Sequence, residues 1–348
     1  MSAPAPRTSP LAGLGVTAPV LAAPMAGGPT TPALVAAAAR SGGMGFLAAG
    51  YKTAEQLERQ VTEVRAAAPV FGVNLFAPNP VAVDPAEYRR YAEALRPLAE
   101  RYGVELPPGP AEDDDQWKRK LDLLRHDPVP VVSFTFGIPP RQVIAALQSY
   151  GSIVAQTVTN EAEARAAADA GVDMLAVQGW AAGGHSATLT PSRLPEPVPT
   201  AALVAMIRNV TPLPVIAAGG LATAAQVAEV IHAGAQAAMV GTALLRTPES
   251  GASAVHQAAV ADRSRNETVL TRSFSGRPAR GIRNRFIDEY DAIAPSGYPA
   301  LHHLTSPIRK AAAAAGDPEA VHLWAGTGYR QATAGQAADV LRTLASVC

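Results

Sequence analysis

At 348 residues, 48% of them hydrophobic and 17% charged, the chain can bury a large core as one big domain or two smaller ones. Its 29 basic residues balance 29 acidic ones, so no net charge draws it to nucleic acid or an anionic membrane. The one cysteine, Cys348, is the last residue, which excludes intramolecular disulfides and a zinc cluster and disfavours a cysteine nucleophile. The Ala/Pro/Gly-rich start lacks the basic region and long apolar core of a secretory signal. No apolar stretch is long and unbroken enough to span a bilayer, so a soluble cytoplasmic protein is expected.

Short β-rich runs alternate with alanine-rich helical segments. The first run is VLAAPMAG (20–27), followed by a helix over about 31–40; MGFLAAG (44–50) precedes a helix starting near Thr53. VFGVNLF (70–76) leads into a long stretch with helices and the loop LPPGPAEDDD (106–115), read as a solvated connection or the edge of a lid. VPVVSFTFG (129–137), SIVAQTV (152–158), DMLAVQG (173–179), PVIAAGG (214–220) and AAMVGTALL (237–245) complete eight strands. Apolar on both faces and joined by helices, they should run parallel. Eight such units predict an α/β fold of the (β/α)8 TIM-barrel type. A doubly wound sheet is the alternative, but GMGFLA (43–48) puts its glycines before a strand, the reverse of a dinucleotide fingerprint. Residues 1–263 are therefore expected to form the barrel. Residues 264–348 should add helices and loops that complete the substrate side.

Reactive groups of such a barrel sit at the C-terminal ends of its strands. These ends carry Pro24, Met25, Ala26, Asn74, Ser133, Phe134, Thr135, Phe136, Gln156, Thr157 and Gln178. Amides and hydroxyls dominate, with no pair of acids for a glycosidase. Strands seven and eight end in Gly219-Gly220 and Met239-Val240-Gly241-Thr242, where barrels often bind phosphate on backbone N–H groups. A phosphate site beside an amide-lined mouth points to FMN. Within VQGWAAGGHSA (177–187), His185 follows Gly183 and Gly184 and is the one histidine of seven placed at such a strand end. Alone it could merely cap a carbonyl; beside a bound ring it becomes a general base or a substrate-orienting group. Arg277, Arg280, Arg283 and Arg285 read as a solvated or salt-bridged face.

APMAGGPTTPALVAAAARSGGMGFLAAG (23–50), FGVNLF (71–76), SFTFGIP (133–139), QGWAAGGH (178–185), PVIAAGG (214–220) and MVGTALL (239–245) together resemble the nitronate monooxygenases, flavin-dependent barrels. FSGRPARGIRNRFI (274–287), LTSPIR (304–309) and LWAGTGY (323–329) are similar to the bacterial, class I-type members. The resemblance implies that Pro24, Met25, Ala26 and Asn74 line the isoalloxazine, with Gln178 at its polar edge. Gly183, Gly219, Gly220, Met239, Val240, Gly241 and Thr242 would hold ribityl and phosphate. His185 matches the catalytic histidine, which deprotonates a nitroalkane or positions a nitronate. The implied reaction oxidises a nitronate with flavin and dioxygen to a carbonyl compound and nitrite; the partners are thus a small nitro compound and O2, with no nucleic acid or membrane, and the oligomeric state stays open. Two positions depart from the family's QGxEAGGH followed by Arg: Ala181 and Ser186. The expectation is that Ala181 lowers the basicity of His185 or alters its tautomer, weakening proton abstraction while leaving preformed nitronates as substrates. An FMN-dependent NAD(P)H enoyl-thioester reductase would use the same flavin loops, and a flavin-binding protein of lapsed activity is a third reading.

Overall fold

The computed structural model describes residues 10–347, so Cys348 lies outside the described residues. All eight expected strands form: β1 (Val20–Ala22), β2 (Phe46–Ala48), β3 (Gly72–Phe76), β4 (Val131–Thr135), β5 (Ile153–Val158), β6 (Met174–Gln178), then, after a two-residue β7 (Gly184–His185), β8 (Val215–Ala218) and β9 (Ala237–Val240). Their order is β1-β9-β8-β6-β5-β4-β3-β2, all pairs parallel, and a parallel bridge from Ala22 to Gly45 closes the ring. This is a TIM barrel.

Alternation along the strands sorts their residues. Leu21, Phe46, Val131, Ala155, Met174, Ile216, Ala237 and Met239 fill the interior with Leu11 beneath them, while Val20, Leu47, Val73, Val132, Val154, Leu175 and Val215 face the helices. A β-carbon on Gly72 would come within 2.2 Å of the Phe46 ring, so a barrel holding Phe46 inside needs glycine there. The connecting helices include α1 (Pro32–Arg40), α2 (Ala54–Ala67), α3 (Pro85–Arg101), α4 (Trp117–His126), α5 (Arg141–Ser149), α6 (Glu161–Ala170), α7 (Thr200–Arg208) and α8 (Ala224–His232). Their starts are locally encoded. Thr31 caps the Leu34 N–H with Pro32 at the first turn, and Thr53 with Gln56 forms a capping box.

Beyond the barrel come α9 (Ala254–Ala261), β10 (Thr268–Thr271), β11 (Ala279–Ile282), α10 (Arg285–Tyr290), α11 (Ala300–Ala314) and α12 (Ala337–Leu344). The expected helices and loops are present, with an antiparallel β10–β11 hairpin in addition. In the second strand of this hairpin, ARGI has no β-rich signature; its pairing to β7 is a tertiary contact. Packing joins the segments on the two sides of residue 263. Tyr88, Tyr91 and Leu95 of α3 join a second core with Phe274, Phe286, Leu301, Leu304 and Ile308, while α12 returns to the barrel between α8 and α1, against β1. Among the described residues no helix is long and apolar enough to cross a membrane.

Candidate active site

The upper interior of the barrel changes character toward the strands' C-terminal ends. Following the alternation, the inward positions there are Ala23, Ala48, Asn74, Ser133, Thr135, Thr157, Gln178 and Ala218. Small residues occupy one arc, and polar ones on the other form a linked row. Asn74 Nδ2 donates to Ser133 Oγ at 2.9 Å and to Thr135 Oγ1 at 3.0 Å, and Thr135 meets Thr157 at 3.2 Å. Phe134 and Gln156 point outward instead; Phe134 packs on Trp117, and Gln156 is fully buried with Oε1 unpartnered.

Four glycine-bearing turns converge on one side of this mouth. Gly219 (φ +112) and Gly220 (φ +74) end β8, Gly241 and Thr242 end β9, Gly183 follows β6, and a tail segment, Ala325-Gly326-Thr327-Gly328, is inserted among them. A β-carbon on Gly183 would lie 2.5 Å from the Gly326 amide, and one on Gly219 2.8 Å from the Gly179 carbonyl. The Gly326 N–H donates to Thr242 Oγ1 at 3.0 Å, and the Thr327 N–H to the Ala181 carbonyl at 3.1 Å. Met25 reaches the same cradle, its sulfur 3.3 Å from where a β-carbon of Gly241 would stand. Pro24 and Ala26, beside it, are part-exposed at the mouth, and Met239 and Val240 are buried beneath Gly241. The N–H groups of Gly220 and Thr242 have no partner among the described residues. Free amides on close-packed glycine turns suit a phosphate, and small uncharged residues line the arc beside them. The residues present therefore fit a flavin mononucleotide.

His185 stands opposite. β7 pairs antiparallel with β11, placing His185 across from Ala279, and the Ser186 N–H donates to the Pro278 carbonyl at 2.8 Å. Gln178 fixes this segment with both ends of its amide: Nε2 donates to the His185 carbonyl at 3.2 Å, and Oε1 accepts from the Ala187 N–H at 2.8 Å. In this structure Gln178 is thus the clamp of the histidine strand. The half-buried imidazole is 2.8 Å from Ser275 through Nε2. Rings surround it at 5.9 Å (Phe136), 5.7 Å (Tyr298) and 5.5 Å (Trp324).

Two buried guanidinium groups flank this chamber, and among the described residues neither has a carboxylate partner. Arg277, with no exposed surface, lies 4.0 Å over the Phe136 ring and donates to the carbonyls of Ser186 and Thr188. Arg309 on α11 donates to the His302 carbonyl at 2.7 Å and to Thr305 Oγ1 at 3.0 Å, and meets His322 Nδ1 at 3.2 Å. Burial, with the charges of Arg277 and Arg309, pushes the His185 pKa down to about 3. Desolvation brings both arginines down to about 10, so they keep their charge at neutral pH.

Several residues of the chamber are not assigned to it from the sequence, although most lie in tail segments that carry the family resemblance. The expected exposed arginine face is half right: Arg283 is exposed and paired with Asp288 and Glu267, but Arg277 and Arg280 are buried. Arg280 donates to the Trp180 carbonyl at 3.0 Å and lies 4.6 Å from that ring's centre. Ser275, Tyr298 and Trp324 come from the tail. Tyr329, another tail residue, is buried with its hydroxyl on the Arg265 carbonyl. Ala181 sits where a β-carbon on Gly220 would meet its own at 2.8 Å, so the departure at 181 faces the Gly219-Gly220 turn.

A family model described as nitronate monooxygenase matches residues 8–346. A probable nitronate monooxygenase of Staphylococcus aureus (strain Newman) is 38% identical over 336 residues, 95% of this chain and 94% of the relative. The crystal structure of nitroalkane oxidase from Streptomyces ansochromogenes superposes with a TM-score of 0.91 at 43% identity, covering 97% of each chain. FabK from Thermotoga maritima shares the fold, with a TM-score of 0.74 at 24% identity over 96% of this chain and 93% of that one.

Proposed function

Because the chain belongs to the nitronate monooxygenase family, we propose that it binds FMN at the barrel mouth and oxidises alkyl nitronates with dioxygen to a carbonyl compound and nitrite. The protein is an enzyme, a flavin oxidoreductase acting on small molecules. The observation that carries the finer reading is the pairing of the glycine cradle with a neutral, ring-walled His185. FabK, at 24% identity, supports the barrel and adds nothing about the reaction.

Under this reading Gly183, Gly219, Gly220, Gly241 and Thr242 hold the phosphate and ribityl, Pro24, Met25 and Ala26 flank the ring, and Asn74 meets its face or edge. Bound flavin would supply the electron acceptor and the reaction with dioxygen. His185 and its neighbours do the rest. Ser275 occupies Nε2, which leaves Nδ1 for the substrate. Arg277 and Arg309 make the chamber positive, which favours an anion beside His185 and opposes a second proton on the imidazole. A preformed nitronate needs no proton removed and meets both preferences. A neutral nitroalkane must give its proton to an imidazole that resists it. Phe136, Tyr298 and Trp324 exclude water and confine the alkyl group. The cytoplasmic location belongs to the same proposal.

The test is an anaerobic absorbance spectrum of the FMN-loaded protein with ethylnitronate and with NADPH added separately. Flavin reduction by the nitronate, with little by NADPH, supports the reading. Rapid bleaching by NADPH alone replaces it with the reductase, and failure to bind FMN removes it.

A further inference from the structure

The loop LPPGPAEDDD is docked. Tyr88 holds it through a 2.9 Å bond to the Gly109 carbonyl, and His303 pairs with Asp113 at 2.5 Å. Its last residue matters most. Asp115 Oδ1 accepts from the Tyr51 N–H at 2.8 Å, and its Oδ2 pairs at 2.7 Å with Lys120, whose ammonium also donates to the Ala49 carbonyl at 2.9 Å. Lys120 is 1% exposed and Asp115 18%, so this junction is fixed inside the protein.

Its backbone is unusual on both sides. Tyr51 has φ 66°, and Asp115 and Gln116 each have φ 54°, a region that residues with a β-carbon enter only when held there. The side chain of Gln116 accepts from the Ala54 N–H at 3.0 Å, a second tie across the same junction. In the left-handed conformation Tyr51 stacks on His302 at 4.1 Å, with 2° between the planes, and its hydroxyl meets that of Tyr298 at 3.1 Å. Tyr298 in turn stands 5.4 Å from Phe136 and 5.7 Å from His185.

We propose that Asp115 is a positioning residue for the substrate chamber: it holds Tyr51 in its left-handed turn, and Tyr51 fixes Tyr298 as the wall facing His185. Neither Asp115 nor Tyr51 has to touch substrate for this. The wall then limits the size of the alkyl group that reaches His185. As a specificity device it rests on the nitronate reading; as a mechanical link it stands alone.

The experiment measures kcat and KM of the FMN-loaded full chain with ethyl-, butyl- and hexylnitronate for wild type, Asp115→Ala, Tyr51→Phe and the double variant. Each single variant should raise KM for ethylnitronate roughly three- to tenfold, the range for one lost hydrogen bond, with kcat within about twofold. Hexylnitronate should lose less, and the double variant should be no worse than the poorer single. Asp115→Asn, made in a Lys120→Met background so that no ammonium faces the new amide, keeps an acceptor for the Tyr51 N–H and should restore most of the KM. Multiplying effects in the double variant, a fall in kcat alone, or no rescue by Asn would overturn the proposal. Amide exchange is read on the same proteins, and Asp115→Ala should speed it at 51–53 and also at 298–303. Faster exchange confined to 106–120 rejects the link whatever the kinetics. A wild type that turns over no nitronate rejects the functional reading and leaves the exchange result to judge the link.

Discussion

Nε2 of His185 lies 2.8 Å from Oγ of Ser275, and that same hydroxyl is 3.3 Å from the Arg277 carbonyl. A serine that donates its one proton to the carbonyl must accept from the imidazole, which places the histidine's proton on Nε2 and its lone pair on Nδ1. The tautomer of His185 is thereby set by a side chain ninety positions away in sequence. Ser275→Ala should lower kcat/KM for ethylnitronate by roughly tenfold and leave the FMN dissociation constant unchanged, the loss being that of one orienting hydrogen bond. Steady-state kinetics and a fluorescence titration of flavin separate the two.

His185→Asn should discriminate between substrates by charge. An amide keeps hydrogen-bonding capacity and cannot take a proton, so the variant should lose about 100-fold or more with neutral nitroethane and far less with ethylnitronate. Equal losses for both would mean that proton transfer is not what His185 supplies.

Arg277→Met removes a buried cation and strands the carbonyls of Ser186 and Thr188. We expect a loss of about 2–4 kcal/mol in urea unfolding, from carbonyls left without donors. KM for anionic nitronates should rise more than for neutral nitroalkanes.

Ala181→Glu should act on cofactor affinity. Position 181 abuts Gly220, so a carboxylate there stands near the turn proposed to hold the phosphate and would repel a dianion. FMN should bind more weakly, by roughly tenfold, while the nitronate-to-nitroalkane activity ratio of the saturated enzyme holds. A changed ratio with unchanged affinity would return the effect to His185.

Acid should destabilise the fold early. Burial lowers the pKa of His185 to about 3 and of His256 to about 4, and holds His302 and His322 well below the ordinary value of 6.5. Neutral when folded and protonated when unfolded, each contributes stability above pH 6.5 that is lost as pH falls toward its folded pKa. The loss is at most about 1.4 kcal/mol per pH unit for each. Urea midpoints measured at pH 7.5, 6 and 5 should fall steeply, and replacing His256 with Gln should flatten the slope.

Much of this molecule was legible as a string because its barrel is built from local, repeating signals. Each strand is a short apolar run, each helix has a cap such as Thr31 or Thr53, and strand ends can be read once strands are placed. The glycine turns at 219–220 and 241 announce themselves because positive φ and close approach leave few alternatives to glycine. His185 was found by its position at such an end. What the tertiary structure alone decided is the other half of the chamber. Ser275, Arg277, Tyr298, Arg309 and Trp324 lie 90 to 139 residues beyond His185, on segments whose patterns carry no period pointing at the barrel. Their burial is a property of where the tail docks, which depends on packing of Phe274, Phe286 and Leu301 against α3. An arginine in a run of four within nine residues reads as part of a charged face; Arg277 is buried because carbonyls of the histidine segment receive its donors, and only folding brings those carbonyls to it.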